Sequence, residues 1–167
     1  CDTLVMSATP IPRTYSLVLY GDLDVSEIKE KPKRRGEFKT GIVPYKKYDG
    51  MLDFIRKEIE NGKQAYFVCP KIQDDEEGEI MSVTALYEQL KERLPQINFG
   101  LLHGKLKDED KKAVMNDFKE NKISAIVSTT VIEVGIDVPN ATVMVIYNAE
   151  RFGLSQLHQL RGRVGRG

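Results

Sequence analysis

Two arginines near the carboxyl terminus are the residues of this sequence best suited to phosphate chemistry. The segment Gln159–Arg166 reads Gln-Leu-Arg-Gly-Arg-Val-Gly-Arg, so Arg163 and Arg166 stand three positions apart. On a helix that spacing places both guanidinium groups on one side, and the neighbouring glycines leave room for a large anion. Two such groups can hold a polyphosphate, and an arginine facing a transferring phosphoryl group accelerates the reaction by about 10³–10⁵-fold. A basic tail without defined structure is the alternative interpretation.

A second polar stretch follows the apolar run Ala125–Val127, where a strand of a parallel sheet would end. In open parallel sheets, ligands bind at the carboxyl ends of the strands. Thr129 and Thr130 could donate hydroxyl and backbone hydrogens to a phosphate at a helix start. Gly135 would allow close approach of the backbone, and Asp137 could accept a hydrogen bond from a ribose hydroxyl. An ordinary strand-to-loop transition explains the same residues equally well.

The chain lacks the rest of an ATP site. A nucleotide-binding loop of the form G-x-x-x-x-G-K-[ST] cradles the phosphates and places Mg²⁺. The nearest stretch, Gly100–Leu106, has one residue too few between its glycines, and Leu106 offers no hydroxyl for the metal. No paired-carboxylate motif stands at a strand end, no spacing of histidine and cysteine indicates a metal site, and His103 is expected to have a loop or packing role. The missing half of the site is therefore expected on another lobe.

Helical and strand patterns alternate through most of the chain. Apolar residues at helical spacing predict three helices, near 48–59, 83–94 and 108–118. Asn61-Gly62 ends the first helix, and three acidic residues suit the first turn of the third. Continuous apolar runs predict strands buried on both faces, at 65–69, 99–102, 125–127 and 143–146. This alternation indicates an α/β fold, a parallel doubly wound sheet with helices on both faces.

The remaining segments are less regular. An apolar run at 4–6 precedes two prolines, and a short helix could cover 14–20. The charged segment Lys29–Gly36 has the composition of a linker or hinge, with a solvated loop inside one domain as the alternative. Asp74–Glu79 is expected to be a mobile acidic loop rather than a metal site. Both ends look cut, so the chain is interpreted as part of a larger protein.

Composition excludes several classes of protein. Lysine plus arginine equals aspartate plus glutamate, 25 each, so a role with DNA must rest on local motifs rather than on overall charge. No run approaches the roughly 18 apolar residues of a membrane span, and the first residues do not form a signal peptide. The length of 167 residues suits one compact domain. Cys69, in an apolar run, is expected to be a buried strand thiol, which favours a cytoplasmic protein.

Four of these segments resemble motifs of superfamily 2 helicases, in the family's order and covering nearly the whole chain. The segments resembling motifs III, IV, V and VI are, in that order, Ser7–Pro10, Ala65–Pro70, Thr129–Asp137 and Gln159–Arg166. The finer resemblance is to the RecG type of DNA helicase. It rests on Leu19–Ser26, Tyr66–Pro70, Leu102–Lys105 and His158–Gly165, whereas Ser7–Thr14 is shared with the transcription-repair coupling factor.

The resemblance implies a RecA-like fold and a division of the chain into two parts. Residues 1–36 would be the end of a first motor lobe and the inter-lobe linker, and 37–167 a second lobe. Arg163 and Arg166 would reach the γ-phosphate, with Gln159 linking to the opposing lobe. The other implied roles are nucleotide contact by Gly135 and Asp137, DNA contact by Thr129, Thr130 and Gly104, and coupling by Ser7 and Thr9.

Enzymes of this type remodel branched DNA, regressing stalled forks and migrating Holliday junctions in repair and recombination. The resemblance therefore implies a bacterial cytoplasmic ATP hydrolase with branched or forked DNA as its partner. The first lobe and a wedge domain of the same polypeptide would complete it, and ATP and Mg²⁺ would be held mainly by that first lobe. This chain alone is expected to be inactive. The alternatives are the equivalent lobe of the transcription-repair coupling factor or of an RNA helicase, and a non-catalytic α/β binding module.

Overall fold

The computed structural model describes residues 39–70, 82–129 and 138–165, in which helices and strands alternate. The four helices are α1 (Tyr48–Glu60), α2 (Val83–Arg93), α3 (Asp108–Lys119) and α4 (Leu154–Arg161). The four strands are β1 (Gln64–Val68), β2 (Phe99–Leu102), β3 (Ala125–Ser128) and β4 (Ala141–Ile146). Short 3₁₀ turns at Tyr45–Lys47 and Ala149–Arg151 precede α1 and α4.

The four strands form one parallel sheet in the order β2-β3-β1-β4. Val68, Ser128 and Ile146 lie side by side at one edge, because Val68 is in register with both others. Leu102 pairs with Ser128 at the same edge. The carboxyl ends of all four strands therefore meet at one edge of the sheet, and the predicted parallel α/β architecture is confirmed.

Each face of the sheet carries its own core. On one face Phe67, Ala125 and Val127 pack with the buried side chains of α1 and α2. On the other face Tyr66 and Ile126 pack with Met115 and Phe118 of α3 and with residues of and near α4. Alternate residues of the same strand point to opposite faces, so a continuous apolar run such as that of β1 is required to cover both.

The expectation that every strand is buried on both faces holds only for the central pair. All residues of β1 and β3 are buried, whereas β2 alternates between buried and half-buried positions. In β4 only Ala141 is buried, and the other five residues are half-buried. The physical reason is position, because β2 and β4 each have a single neighbouring strand in the described part of the chain.

Local signals in the sequence set the helix ends. After α1, Gly62 adopts a φ of 80°, a left-handed conformation that costs glycine little. Ser82 caps the start of α2, because its side-chain oxygen accepts from the amide of Ala85 at 3.1 Å. The first turn of α3 carries Asp108, Glu109 and Asp110, which oppose the positive end of the helix dipole.

Several sequence predictions lie outside the described residues. They are the strand near 4–6, the helix near 14–20, the linker Lys29–Gly36 with the division of the chain at 36/37, and the acidic loop at 74–79. Among the helices that the described ranges contain, none has the length and apolar character needed to span a membrane.

Gln64 joins the first residue of β1 to the end of α3. It is almost fully buried, and its Nε2 donates to the backbone oxygens of Phe118 at 2.6 Å and Ile123 at 2.8 Å. We expect Gln64→Met to lower the free energy of unfolding by about 1–3 kcal/mol, because the oxygens of Phe118 and Ile123 would each lose the hydrogen bond from Nε2. Urea denaturation measures this change. Gln96→Met, at an exposed position, is the matched control and is expected to change stability by less than about 0.5 kcal/mol.

Candidate functional site

Thr129 lies at the carboxyl edge of the sheet, directly after β3. Its backbone amide donates to the oxygen of Leu102 at 3.3 Å, so the ends of β2 and β3 are held side by side. Thr129 is 3% exposed and the preceding Ser128 is 0% exposed. The expectation that Thr129 lies at a carboxyl strand end is thus confirmed.

A tight turn follows the neighbouring strand β2. The amide of Leu106 donates to the oxygen of His103 at 3.2 Å, which closes the turn over Gly104 and Lys105. Gly104 is exposed, and His103 is half-buried. The structure therefore places Gly104 and Thr129 at one sheet edge. Gly100 lies inside β2, where an added Cβ would meet Val114 at 3.0 Å, so the stretch rejected as a phosphate-binding loop is part of a strand.

Three polar side-chain atoms at this edge are buried without a hydrogen-bond partner among the described residues. They are Nδ1 of His103, Oγ of Ser128 and Oγ1 of Thr129. Buried polar groups are nearly always paired, and each exception calls for a physical explanation such as a ligand. Hydroxyl groups can donate to an anion and accept from a donor. This edge therefore carries hydrogen-bonding groups whose partners are not among the described residues.

Arg163 lies at the opposite edge of the sheet. The chain leaves the carboxyl end of β4, turns, and returns through α4, after which the amide of Gly165 donates to the oxygen of Ala141 at 3.0 Å. Ala141 is the first residue of β4. Val164 is buried in the same cluster as Val138, the residue that follows Asp137 in the sequence. Arg163 is thus fixed near the amino end of β4.

The expectation that Arg163 sits on a helix is wrong. Helix α4 ends at Arg161, with Gly162 as its final cap, and the amide of Arg163 donates to the oxygen of Leu160 at 2.9 Å in a turn beyond the helix. Gly165 then adopts a φ of 65°, which takes the backbone out of helical geometry. The helical spacing argument for a pair of arginines therefore does not apply to this segment.

Two features leave the Arg163 side chain able to meet an anion. The residue is half-buried, and no salt bridge involves it within the part of the chain that the structure describes. A guanidinium group in such a place can form paired, charge-assisted hydrogen bonds with phosphate oxygens. Gln159 is exposed on α4, four residues before Arg163.

The two candidate regions are separated by the length of the sheet. A strand rises about 3.3 Å per residue, so the amino and carboxyl ends of the six-residue strand β4 are roughly 15–20 Å apart. Thr129 and Gly104 share one edge, and Arg163 lies at the other. The arrangement suits two different ligands rather than one.

The other expected site residues lie outside the described ranges. They are Ser7, Thr9, Thr130, Gly135, Asp137 and Arg166. Within those ranges no group of three or more histidine, cysteine or acidic residues could hold a metal ion. Cys69, directly after β1, is buried, as the apolar run predicted.

Tyr147 anchors the segment that leads from β4 towards α4. Its amide donates to the oxygen of Val68 at 2.8 Å, and its hydroxyl lies 2.9 Å from that of Tyr48 at the start of α1. Burial raises the pKa of the Tyr147 hydroxyl well above the usual range of tyrosine, and the contact with Tyr48 raises it further. The folded protein therefore holds the neutral form of this side chain more strongly than the unfolded chain does.

This pKa shift predicts a loss of stability at alkaline pH. Because the pKa in the folded state exceeds the value of about 10 in an unfolded chain, the stabilisation is complete below pH 10 and is lost as pH rises above it. In Tyr147→Phe the decline of the unfolding free energy above pH 10 should be shallower than in the wild type. Denaturation curves at several pH values check this. Tyr45→Phe, at a 92% exposed position, should keep the wild-type slope.

The sequence pattern did not single out His103 or Ser128 for this site. Ser128 ends a continuous apolar run, and His103 follows another, with nothing in residue type alone to separate them from packing residues. The available signal was positional, since the first polar residues after parallel strands lie at the carboxyl edge.

Comparisons with known proteins identify the family to which the chain belongs. Residues 46–167 match the family described as the helicase conserved C-terminal domain. Proteins named ATP-dependent DNA helicase RecG are similar to the chain: that of Thermotoga maritima is 54% identical over 99% of this chain, and that of Bacillus subtilis 48% identical over 99%. This chain spans 21% and 24% of those relatives, about a fifth to a quarter of their length.

Two solved structures share the fold. The Mss116p DEAD-box helicase domain 2 bound to an RNA duplex has a TM-score of 0.56 at 19% identity, over 71% of this chain and 44% of that one. Saccharomyces cerevisiae Dbp5 bound to RNA and ADP BeF3 has a TM-score of 0.52 at 19% identity, over 72% of this chain and 29% of that one. At such identity the likeness concerns the fold alone, which is that of a RecA-like helicase lobe.

Proposed function

Since the chain belongs to the helicase conserved C-terminal domain family, we propose that it forms the second motor lobe of an ATP-dependent DNA helicase of the RecG type. The single observation that carries the proposal is the identity of about half over nearly the whole chain to proteins of that name. The separation of Thr129 and Arg163 at opposite ends of the strands supports it, because a helicase motor needs separate contacts with the nucleotide and with the DNA.

The edge at Arg163 is proposed to face the nucleotide. Arg163 and Arg166 would approach the γ-phosphate of an ATP held on the first lobe, and Gly135 and Asp137 would contact the rest of the nucleotide. The described residues offer no group for a metal ion, so Mg²⁺ would be held by that first lobe. Gln159, exposed on α4, would touch the same lobe.

The edge at Thr129 is proposed to face DNA. A phosphate of the backbone could accept hydrogen bonds from the buried hydroxyl of Thr129 and from the exposed turn at Gly104. Thr130 would add a contact beside Thr129. Ser7 and Thr9, near the amino terminus, would couple the state of the nucleotide to the strength of this DNA contact.

The edge at Thr129 and the edge at Arg163 belong to one sheet. Closure of the two lobes over ATP would therefore move both edges together. Hydrolysis would then release the nucleotide-facing edge and allow the lobe to return. In the whole protein this cycle would drive fork regression and branch migration of Holliday junctions, in the cytoplasm of a bacterium. The wedge domain and the first lobe of the same polypeptide would be its partners, and the isolated chain would not hydrolyse ATP.

The proposal is tested on the full-length protein. We expect ATP hydrolysis that rises on addition of forked DNA, and conversion of a synthetic four-way junction into its two duplex products. Hydrolysis stimulated by an RNA duplex and not by DNA would point instead to an RNA helicase. DNA binding without any ATP hydrolysis would contradict the motor proposal and favour a binding module.

A further inference from the structure

The proposed DNA contact gives no role to His103, which lies at the same sheet edge. Leu102 is in register with Ser128, and the amide of Thr129 donates to the oxygen of Leu102. Neighbouring strands lie about 4.8 Å apart. His103 and Thr129, the next residue on each strand, are therefore neighbours at the carboxyl edge.

One ring nitrogen of His103 is buried. Nδ1 is buried and makes no hydrogen bond within the described residues, and the same holds for the hydroxyls of Ser128 and Thr129. Unpaired buried polar atoms are rare in folded proteins. Nδ1 of His103 and Oγ1 of Thr129, at two adjacent strand ends, are therefore candidates for contact with a group from another molecule.

Charged groups of both signs follow β2 in the chain. The exposed turn after β2 carries Lys105, whereas the acidic first turn of α3 would repel an anion at that helix start. The carboxylate of Asp108 is engaged by Lys111 at 3.1 Å. No cluster able to hold a metal occurs in the ranges that the structure covers, and hydroxyl and imidazole N–H groups are donors that suit a phosphate oxygen.

We infer that His103 contacts the DNA backbone directly, together with Thr129. The imidazole tautomer with its hydrogen on Nδ1 donates to a non-bridging oxygen of the phosphate that the Thr129 hydroxyl binds. This inference rests on the proposed function and adds one residue to its DNA edge. It also explains why a half-buried histidine at this turn keeps an unpaired ring nitrogen.

Three substitutions at His103 test which ring atom acts. In the full-length protein, His103→Phe keeps a planar ring but removes both nitrogens, and we expect its dissociation constant for forked DNA to rise about 10-fold. His103→Asn places an amide near the position of Nδ1 and should restore most of the affinity. His103→Gln places its amide near Nε2 and should not. Fluorescence anisotropy at one fixed salt concentration measures all four proteins, since affinity for DNA depends on salt.

DNA binding by Thr129→Val and the melting temperatures of the variants distinguish failure of this inference from failure of the proposed function. Equal affinity of His103→Phe and the wild type, with weak binding by Thr129→Val, would overturn the inference and leave the proposed DNA edge standing. Weak binding by His103→Asn despite a wild-type melting temperature would also overturn it, because the Nδ1 position would then not matter. A wild-type protein that does not bind forked DNA would remove the proposed function together with the inference.

Discussion

Arg163→Ala in the full-length protein is expected to lower DNA-stimulated ATP hydrolysis by about 10³-fold or more, because an arginine that neutralises charge on the transferring phosphoryl group has an effect of about 10³–10⁵. The backbone of Arg163 is fixed by the turn after α4, and its side chain has no salt bridge in the described ranges. DNA affinity should change little, since Thr129 lies at the other edge. Steady-state hydrolysis with saturating forked DNA measures the loss.

Arg163→Lys separates charge from geometry. It keeps a positive charge but cannot make the planar paired contact of a guanidinium group, so its hydrolysis should remain far below the wild type. Arg56→Ala, on α1 and paired with Asp53 at 3.3 Å, is the matched control and should hydrolyse ATP normally. Near-normal hydrolysis by Arg163→Ala would contradict the assignment of this residue to the nucleotide edge.

Phe118→Ala is expected to lower the free energy of unfolding by about 3–5 kcal/mol. Phe118 is fully buried in the core beneath α3, and its ring centroid lies 5.1 Å from that of Tyr66 on β1. Truncation removes this contact and leaves a cavity that the surrounding strands can fill only in part. A loss of this size is a large share of the 5–15 kcal/mol that stabilises a typical domain, and chemical denaturation measures it.

Phe54→Ala provides the comparison for the same chemical change. Phe54 lies on α1 at 53% exposure, so its truncation should change the free energy of unfolding by less than about 1 kcal/mol. Similar losses for Phe54→Ala and Phe118→Ala would contradict the packing that places Phe118 in the core. The denaturant slope should stay constant across both variants, because the unfolded chains expose similar surfaces.

Elements whose signals are local were predicted well from the sequence. The predicted strand at 99–102 and helix near 108–118 match β2 and α3 closely, since continuous apolar runs and acidic first turns act within a few residues. The parallel sheet followed from the alternation of these elements. The partial exposure of the outermost strands, β2 and β4, could not be predicted. It depends on how many strands lie beside each of them, which the sheet topology decides and the composition of the strand does not.

The candidate site was only half predictable for the same reason. Thr129 follows a strand, so its place at the carboxyl edge could be read from chain order. Arg163 could not be placed in this way, because its location depends on where α4 ends and on the bond between Gly165 and Ala141. The motif resemblance named the arginine, whereas only the structure locates it opposite Thr129.

The hydrogen bond from the amide of Gly165 to the oxygen of Ala141 joins the segment after α4 to the first residue of β4. The segment from β4 through α4 is therefore linked at both of its ends. A force on the turn that contains Arg163 would act on the first peptide of β4. Because β4 is hydrogen-bonded to β1, the force would also reach the middle of the sheet. The backbone next to Arg163 is thus connected to the central strands, so we expect a displacement of the turn after α4 to be transmitted to β4 and β1.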